Sequence, residues 1–127
     1  MSKKIIDTKA APAAAGPYSQ AVKANGLVFV SGQLPLHPET GDMPESVTQQ
    51  TAQSLANVKA ILDAEGLDMS DVVKCMVFLT DMDKFVEMNE VYAKAFGDAA
   101  PARSAYQVVR LPKDAKVEIE AIAVERS

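Results

Sequence analysis

Arg103, Glu118 and Glu120 stand in two segments near the end of the chain, PARSAYQVV and KVEIEAIAV, whose other residues read as buried strand. Charged side chains are rarely buried unless paired, so either these strands have a wet face or the charges serve a site. The planar fork of an arginine takes a carboxylate through two parallel charge-assisted hydrogen bonds, which makes a small carboxylic acid the natural ligand of Arg103. A carboxylate such as Glu118, within reach of a bound water, can act as general base toward an electrophilic carbon, worth about 10²–10⁴ in rate. Together the two describe addition of water to a small keto-acid-like or imino-acid-like substrate. An interface salt bridge would use the same residue types, and Glu120 fits a solvated strand end, a structural role.

Three further side chains could carry chemistry. Asn89 follows Phe85 by four residues and precedes Tyr92 by three, so helical spacing places it on the inward side, where a buried amide needs partners. A nearby backbone group would satisfy it. His37, the only histidine, lies in the turn-rich stretch LPLHPETGDMPES, which offers no companion ligands for a metal. Cys75 sits in the apolar run VVKCMVFL, the setting of an inert buried thiol.

The elements that must position these residues alternate in period. GLVFVSGQ and VVKCMVFLT are short apolar runs that read as strands buried on both faces. Ser46 and Gln49 have capping-box spacing, and Val47, Thr51, Leu55, Val58 and Leu62 mark one face of a helix that Gly66 ends. Asp83 is placed to cap a second helix with the stripe Phe85, Met88, Tyr92 and Phe96, closed by Gly97. Two final strands run from about Ala102 to Val109 and from Lys116 to Val124. This order predicts an α+β layer with both helices on one face of a sheet.

In the last strand Val117, Ile119, Ala121 and Ala123 share one face, and Glu118, Glu120, Ile122 and Val124 the other. A face part polar and part apolar often borders another subunit. If the last two strands pair as a hairpin around Lys113, Arg103 and Glu118 lie about 16 Å apart along the ribbon, too far for one side chain to bridge. A strand between them would also separate them. One site using both charges is then most simply built from adjacent subunits across a symmetric interface.

With 127 residues, 48% of them hydrophobic, the chain has the size of one domain, residues 1–127. A lone cysteine leaves stability to packing and suits a reducing cytoplasm. A formal net charge of −4 without a basic cluster argues against nucleic acid as partner. Asp7 and Lys9 interrupt the N-terminal segment, so it does not read as a signal peptide, and no run reaches membrane-span length. The expectation is a soluble cytoplasmic protein.

The segments APAAAGPYSQAV, VFVSGQLPLHPETG, VVKCMVFLTDMDKFVEMNEVYAKAFG and PARSAYQVVRLPKDAKVEIEAIAV strongly resemble the RidA (YjgF) family of reactive-intermediate deaminases, over about residues 10 to 125. The resemblance implies a chorismate-mutase-like α+β fold, a mixed sheet with two helices on one face. It implies a homotrimer with a site at each subunit interface and no cofactor or metal. The implied reaction hydrolyses 2-iminobutanoate and 2-iminopropanoate, or their enamine tautomers, to 2-oxoacids and ammonia. Pyridoxal-phosphate enzymes that dehydrate serine or threonine are the implied source of substrate.

By the same resemblance Arg103 binds the substrate carboxylate and Glu118 positions the attacking water. Tyr18 of GPYSQ, Ser31 and Gly32 of VSGQ, and Asn89 of MNEVY match positions that line the pocket in relatives. Many relatives carry a cysteine two residues after the motif arginine, where this chain has Ala105; water activation by Glu118 does not require that thiol. The resemblance also extends to proteins described as ligand sensors, chaperone-like proteins or translation inhibitors, so a non-enzymatic carboxylate-binding role is the alternative.

Overall fold

The computed structural model describes residues 2–126. Six strands form one sheet: β1 (Lys4–Ile6), β2 (Ala21–Ala24), β3 (Leu27–Gln33), β4 (Val72–Leu79), β5 (Ala102–Gln107) and β6 (Val117–Val124), in the order β1-β2-β3-β6-β4-β5. Two helices, α1 (Val47–Asp63) and α2 (Phe85–Phe96), connect β3 to β4 and β4 to β5. Only the β4–β5 pair is parallel, and α2 is the crossover that a parallel pair requires. The last strand, β6, inserts antiparallel between β3 and β4, so the latest segment of the chain occupies the centre of the sheet. The expected α+β architecture is what the chain adopts; the supposed hairpin of the last two strands is not, because β4 lies between them.

Both helices cover one face. Val47, Thr51, Leu55, Val58 and Leu62 of α1 are all buried, as are Met88, Tyr92 and Phe96 of α2. They pack on Val28 and Val30 of β3, Cys75, Val77 and Leu79 of β4, and Val117 and Ile119 of β6. The opposite face carries no helix. There Phe29 is 42% and Val124 41% exposed. Strands β3 and β4 are therefore covered on one face within a single chain, not on both. Their apolar residues on the second face, Phe29 and Phe78 among them, are what make the runs read as continuous.

Local chemistry sets the element ends. Ser46 caps α1, its hydroxyl accepting from the Gln49 N–H at 3.1 Å. Asp83 does not cap α2. It lies inside a 3-10 turn, Met82–Lys84, whose cap is Asp81, accepting from the Asp83 N–H at 2.9 Å, and α2 continues directly from that turn. β1 and β2, three and four residues long, are too short to stand out as runs. Their signal is Asn25-Gly26, whose φ values of 54° and 80° make the two-residue hairpin turn that joins β2 to β3.

Replacing Ser46 by alanine removes the side-chain cap of α1 and is expected to cost about 1 kcal/mol. Urea unfolding would read this as a lower midpoint at unchanged slope; an unmoved midpoint would contradict it.

Candidate active site

Glu118 projects from β6 on the helix-free face. Its carboxyl lies over Gly32: a Cβ at that glycine would stand 2.9 Å from Glu118 Cδ and Oε2. Real Cβ atoms do not come so close, so only glycine leaves Glu118 this position. A bulge prepares the spot. Val30 pairs with Ala121 and Gln33 with Ile119, so Ser31 and Gly32 together oppose one residue of β6. The Ser31 hydroxyl donates to the Ser19 carbonyl at 2.6 Å and its N–H to the Gln20 carbonyl at 2.9 Å, which ties the bulge to the segment carrying Tyr18.

Tyr18, Ser31, Gly32, Glu118 and Glu120 line one cleft of about 650 Å³, with Ala13, Leu34 and Leu36 as apolar wall. Burial, aided by repulsion from Glu120, pushes the Glu118 carboxyl above the usual carboxylate range. Glu120, expected to be structural, thus borders the same cleft and acts on its neighbour. Gln20 is a residue of this site that the sequence reading missed. It is buried, its amide donating to the carbonyls of Thr8, Ala11 and Pro12 and accepting from the Thr8 N–H, so it clasps the base of the loop that bears Tyr18. A single glutamine beside a strand carries no periodic signal that would mark it.

Arg103 projects from β5 toward α2. Its guanidinium carbon lies 4.8 Å from the centre of the Tyr92 ring and 5.4 Å from that of Phe85, and Nη1 donates to Asn89 Oδ1 at 2.6 Å. Asn89 is exposed, contrary to the expected inward placement. It sits at the margin of the buried stripe, and its partner is the guanidinium rather than a backbone group. Among the described residues Arg103 has no acidic partner.

Arg103 and Glu118 do not meet within the chain. Cys75 of β4 pairs with Arg103, and Phe78 of β4 pairs with Glu118. Paired residues share a face, and Cys75 and Phe78, three residues apart on one strand, point to opposite faces. The structure therefore assembles two groups: Tyr18, Ser31, Gly32 and Glu118 on the open face, Arg103 and Asn89 on the helix side.

The remaining candidates keep their plainer roles. His37 is exposed in its turn. Cys75 is fully buried, and burial raises its thiol further from ionisation. No cluster of metal-ligating side chains occurs among the described residues. No helix among them is long and apolar enough to cross a membrane.

Residues 8–125 match the family described as Endoribonuclease L-PSP. The chain is 52% identical over 125 residues to an Escherichia coli protein named putative reactive intermediate deaminase TdcF, covering 96% of this chain and 97% of that one. It is 49% identical over 126 residues to the Escherichia coli protein named 2-iminobutanoate/2-iminopropanoate deaminase, covering 97% and 98%. The crystal structure of E. coli TdcF with bound serine superposes with a TM-score of 0.93 at 52% identity, covering 98% of this chain and 99% of that one.

The raised pKa of Glu118 has a consequence for stability. Between the ordinary carboxylate pKa and its own, the folded state holds a proton that the unfolded state releases, so Glu118 lowers stability as pH rises through that window. Glu118→Gln is expected to melt above the parent protein at neutral pH, the gap closing as pH falls below the ordinary carboxylate range. Thermal unfolding against pH reads this directly; a variant less stable at pH 7 would contradict it.

Proposed function

Because this chain belongs to the Endoribonuclease L-PSP family, that of the YjgF and RidA proteins, we propose that it hydrolyses 2-imino acids and their enamine tautomers to 2-oxoacids and ammonia. The preferred substrates are of the size of 2-iminobutanoate and 2-iminopropanoate, and the site is shared between adjacent copies of the chain in a homotrimer. The observation that carries this is the separation of the two charges. Arg103 is fixed by one amide and two rings without an acidic partner, and Glu118, half-buried on the opposite face, has no salt bridge among the described residues. Each lacks what a second copy brings. The names of the deaminase relatives, and the serine bound to TdcF, favour a small amino-acid-like ligand over RNA; so does the net charge of −4.

Arg103, with one nitrogen held by Asn89, has its other N–H groups free for the substrate carboxylate. The C2 atom of a protonated imine is already electrophilic, so no cofactor is called for. Glu118 takes a proton from water as its oxygen bonds to C2, and the C=N electrons move to nitrogen. The proton returns from Glu118 to that nitrogen. The hydroxyl of the adduct then loses its proton to the regenerated Glu118 carboxylate to form C=O while the C–N bond breaks, and the departing ammonia takes that proton up as ammonium. Tyr18, Ser31 and the Gly32 amide orient substrate and water, a proximity contribution. Burial serves this cycle by raising the Glu118 pKa, which makes the carboxylate a better base and its acid form a usable donor. Dehydratases that use pyridoxal phosphate on serine or threonine supply such substrates, and the coupling to them requires no physical contact.

The test couples a threonine dehydratase to this protein and follows 2-oxobutanoate formation above the spontaneous rate. Glu118→Gln is expected to lose about 10²–10⁴ of the acceleration, and Arg103→Ala to lose it through substrate binding. Gly32→Ala displaces the Glu118 carboxyl and is expected to lose about 10²-fold. The acceleration should also fail on the acid side at a pH above the ordinary carboxylate range, as Glu118 takes up its proton. A folded protein that accelerates none of several imines would instead favour a carboxylate-binding module.

A further inference from the structure

Three residues of α2 face Arg103: Phe85, Asn89 and Tyr92, at positions i, i+4 and i+7, hence on one side of the helix. Phe85 and Tyr92 belong to the stripe that the sequence marks only as core. Their placement does more than fill space. An arginine side chain is long and flexible, and a guanidinium on a half-buried strand ordinarily finds a carboxylate. Here it lies over two ring faces, whose negative quadrupoles attract the cation without consuming any N–H group. Asn89 takes one N–H of the five, at 2.6 Å.

Tyr92 shows that the ring is the working part. Its hydroxyl is buried without a well-formed hydrogen-bond partner, its polar neighbour being the buried Cys75 thiol, and burial holds it un-ionised. An orphaned hydroxyl stabilises nothing. The ring, by contrast, is braced by Phe96 at 4.7 Å between centres and presents its face to Arg103.

We propose that Phe85 and Tyr92 are positioning residues, whose ring faces hold the Arg103 guanidinium in the orientation that takes the substrate carboxylate. The inference rests on the proposed carboxylate-binding role of Arg103. A carboxylate partner would neutralise the guanidinium and occupy its fork; the aromatic seat leaves both the charge and the remaining N–H groups for the ligand. Its contribution belongs to the carboxylate end of the substrate and not to the reacting carbon.

The experiment measures binding of 2-oxobutanoate and of its uncharged analogue 2-oxobutanamide by calorimetry or ligand-observed NMR, using the intact protein. Phe85→Leu, at the partly buried first turn of α2, is expected to weaken 2-oxobutanoate about three- to thirty-fold while barely changing the amide. Phe85→Tyr restores the ring and the discrimination. Tyr92→Leu should behave like Phe85→Leu, and Tyr92→Phe should keep the preference for the carboxylate. Equal loss for acid and amide would reduce the rings to packing, and no loss in Phe85→Leu would remove their role altogether; either overturns the inference. If Arg103→Ala binds 2-oxobutanoate as tightly as the parent protein, the carboxylate role of Arg103 fails instead, so the two failures are distinguishable.

Discussion

The alternation of side chains along a strand is the constraint from which the site follows. With β4 between β5 and β6, Arg103 shares a face with Cys75 and Glu118 shares the other with Phe78. No rotamer brings a side chain through a hydrogen-bonded sheet. A fold that kept both charges on one face would have satisfied each with the other, as an internal ion pair. This one keeps them apart and unpaired, as the proposed site shared between copies requires.

Keeping charges unpaired has an energetic cost that the structure spreads over several devices. Glu118 is tolerated because Gly32 and the bulge beside it make room, and because its pKa rises when it is buried near Glu120. Arg103 is tolerated because ring faces and one amide replace part of its hydration. The apolar residues around the open face, such as Phe29 and Val124, point the same way. A face with that much apolar surface next to a polar cleft suits contact with another copy, and such contact would deepen the burial of Glu118. The residues that set stability here are thus the ones to which the proposed site chemistry is assigned.

Much of this was legible in the sequence, and the reason differs by element. The α1 stripe and its Ser46 cap are local patterns and came out as read. Arg103 and Glu118 stood out because charge inside strand runs demands an explanation, and their family motif supplied one. Nonlocal features did not show. Nothing in the order of segments announces that β6 enters between β3 and β4, so the sequence left open whether the last two strands pair directly or, as they do, flank another strand. The bulge at Ser31 and Gly32 is a matter of register, which no single segment encodes. Asn89 lay one helical step from the buried stripe, and spacing alone could not separate margin from interior. Phe85 and Tyr92 read as core because aromatic residues at helical spacing usually are, and the second role proposed for them depends on a strand partner brought in from β5.

The central claim is that one site takes Arg103 from one copy and Glu118 from another. Arg103→Ala and Glu118→Gln protein, each inactive alone, would be unfolded, mixed in equal amounts and reassembled, and the dehydratase-coupled rate measured. A shared site predicts that random mixing leaves about one site in four with both native residues, and so recovers about a quarter of the parent activity. A mixed assembly, verified by mass, that stays as inactive as either variant alone would show that both charges must come from the same chain.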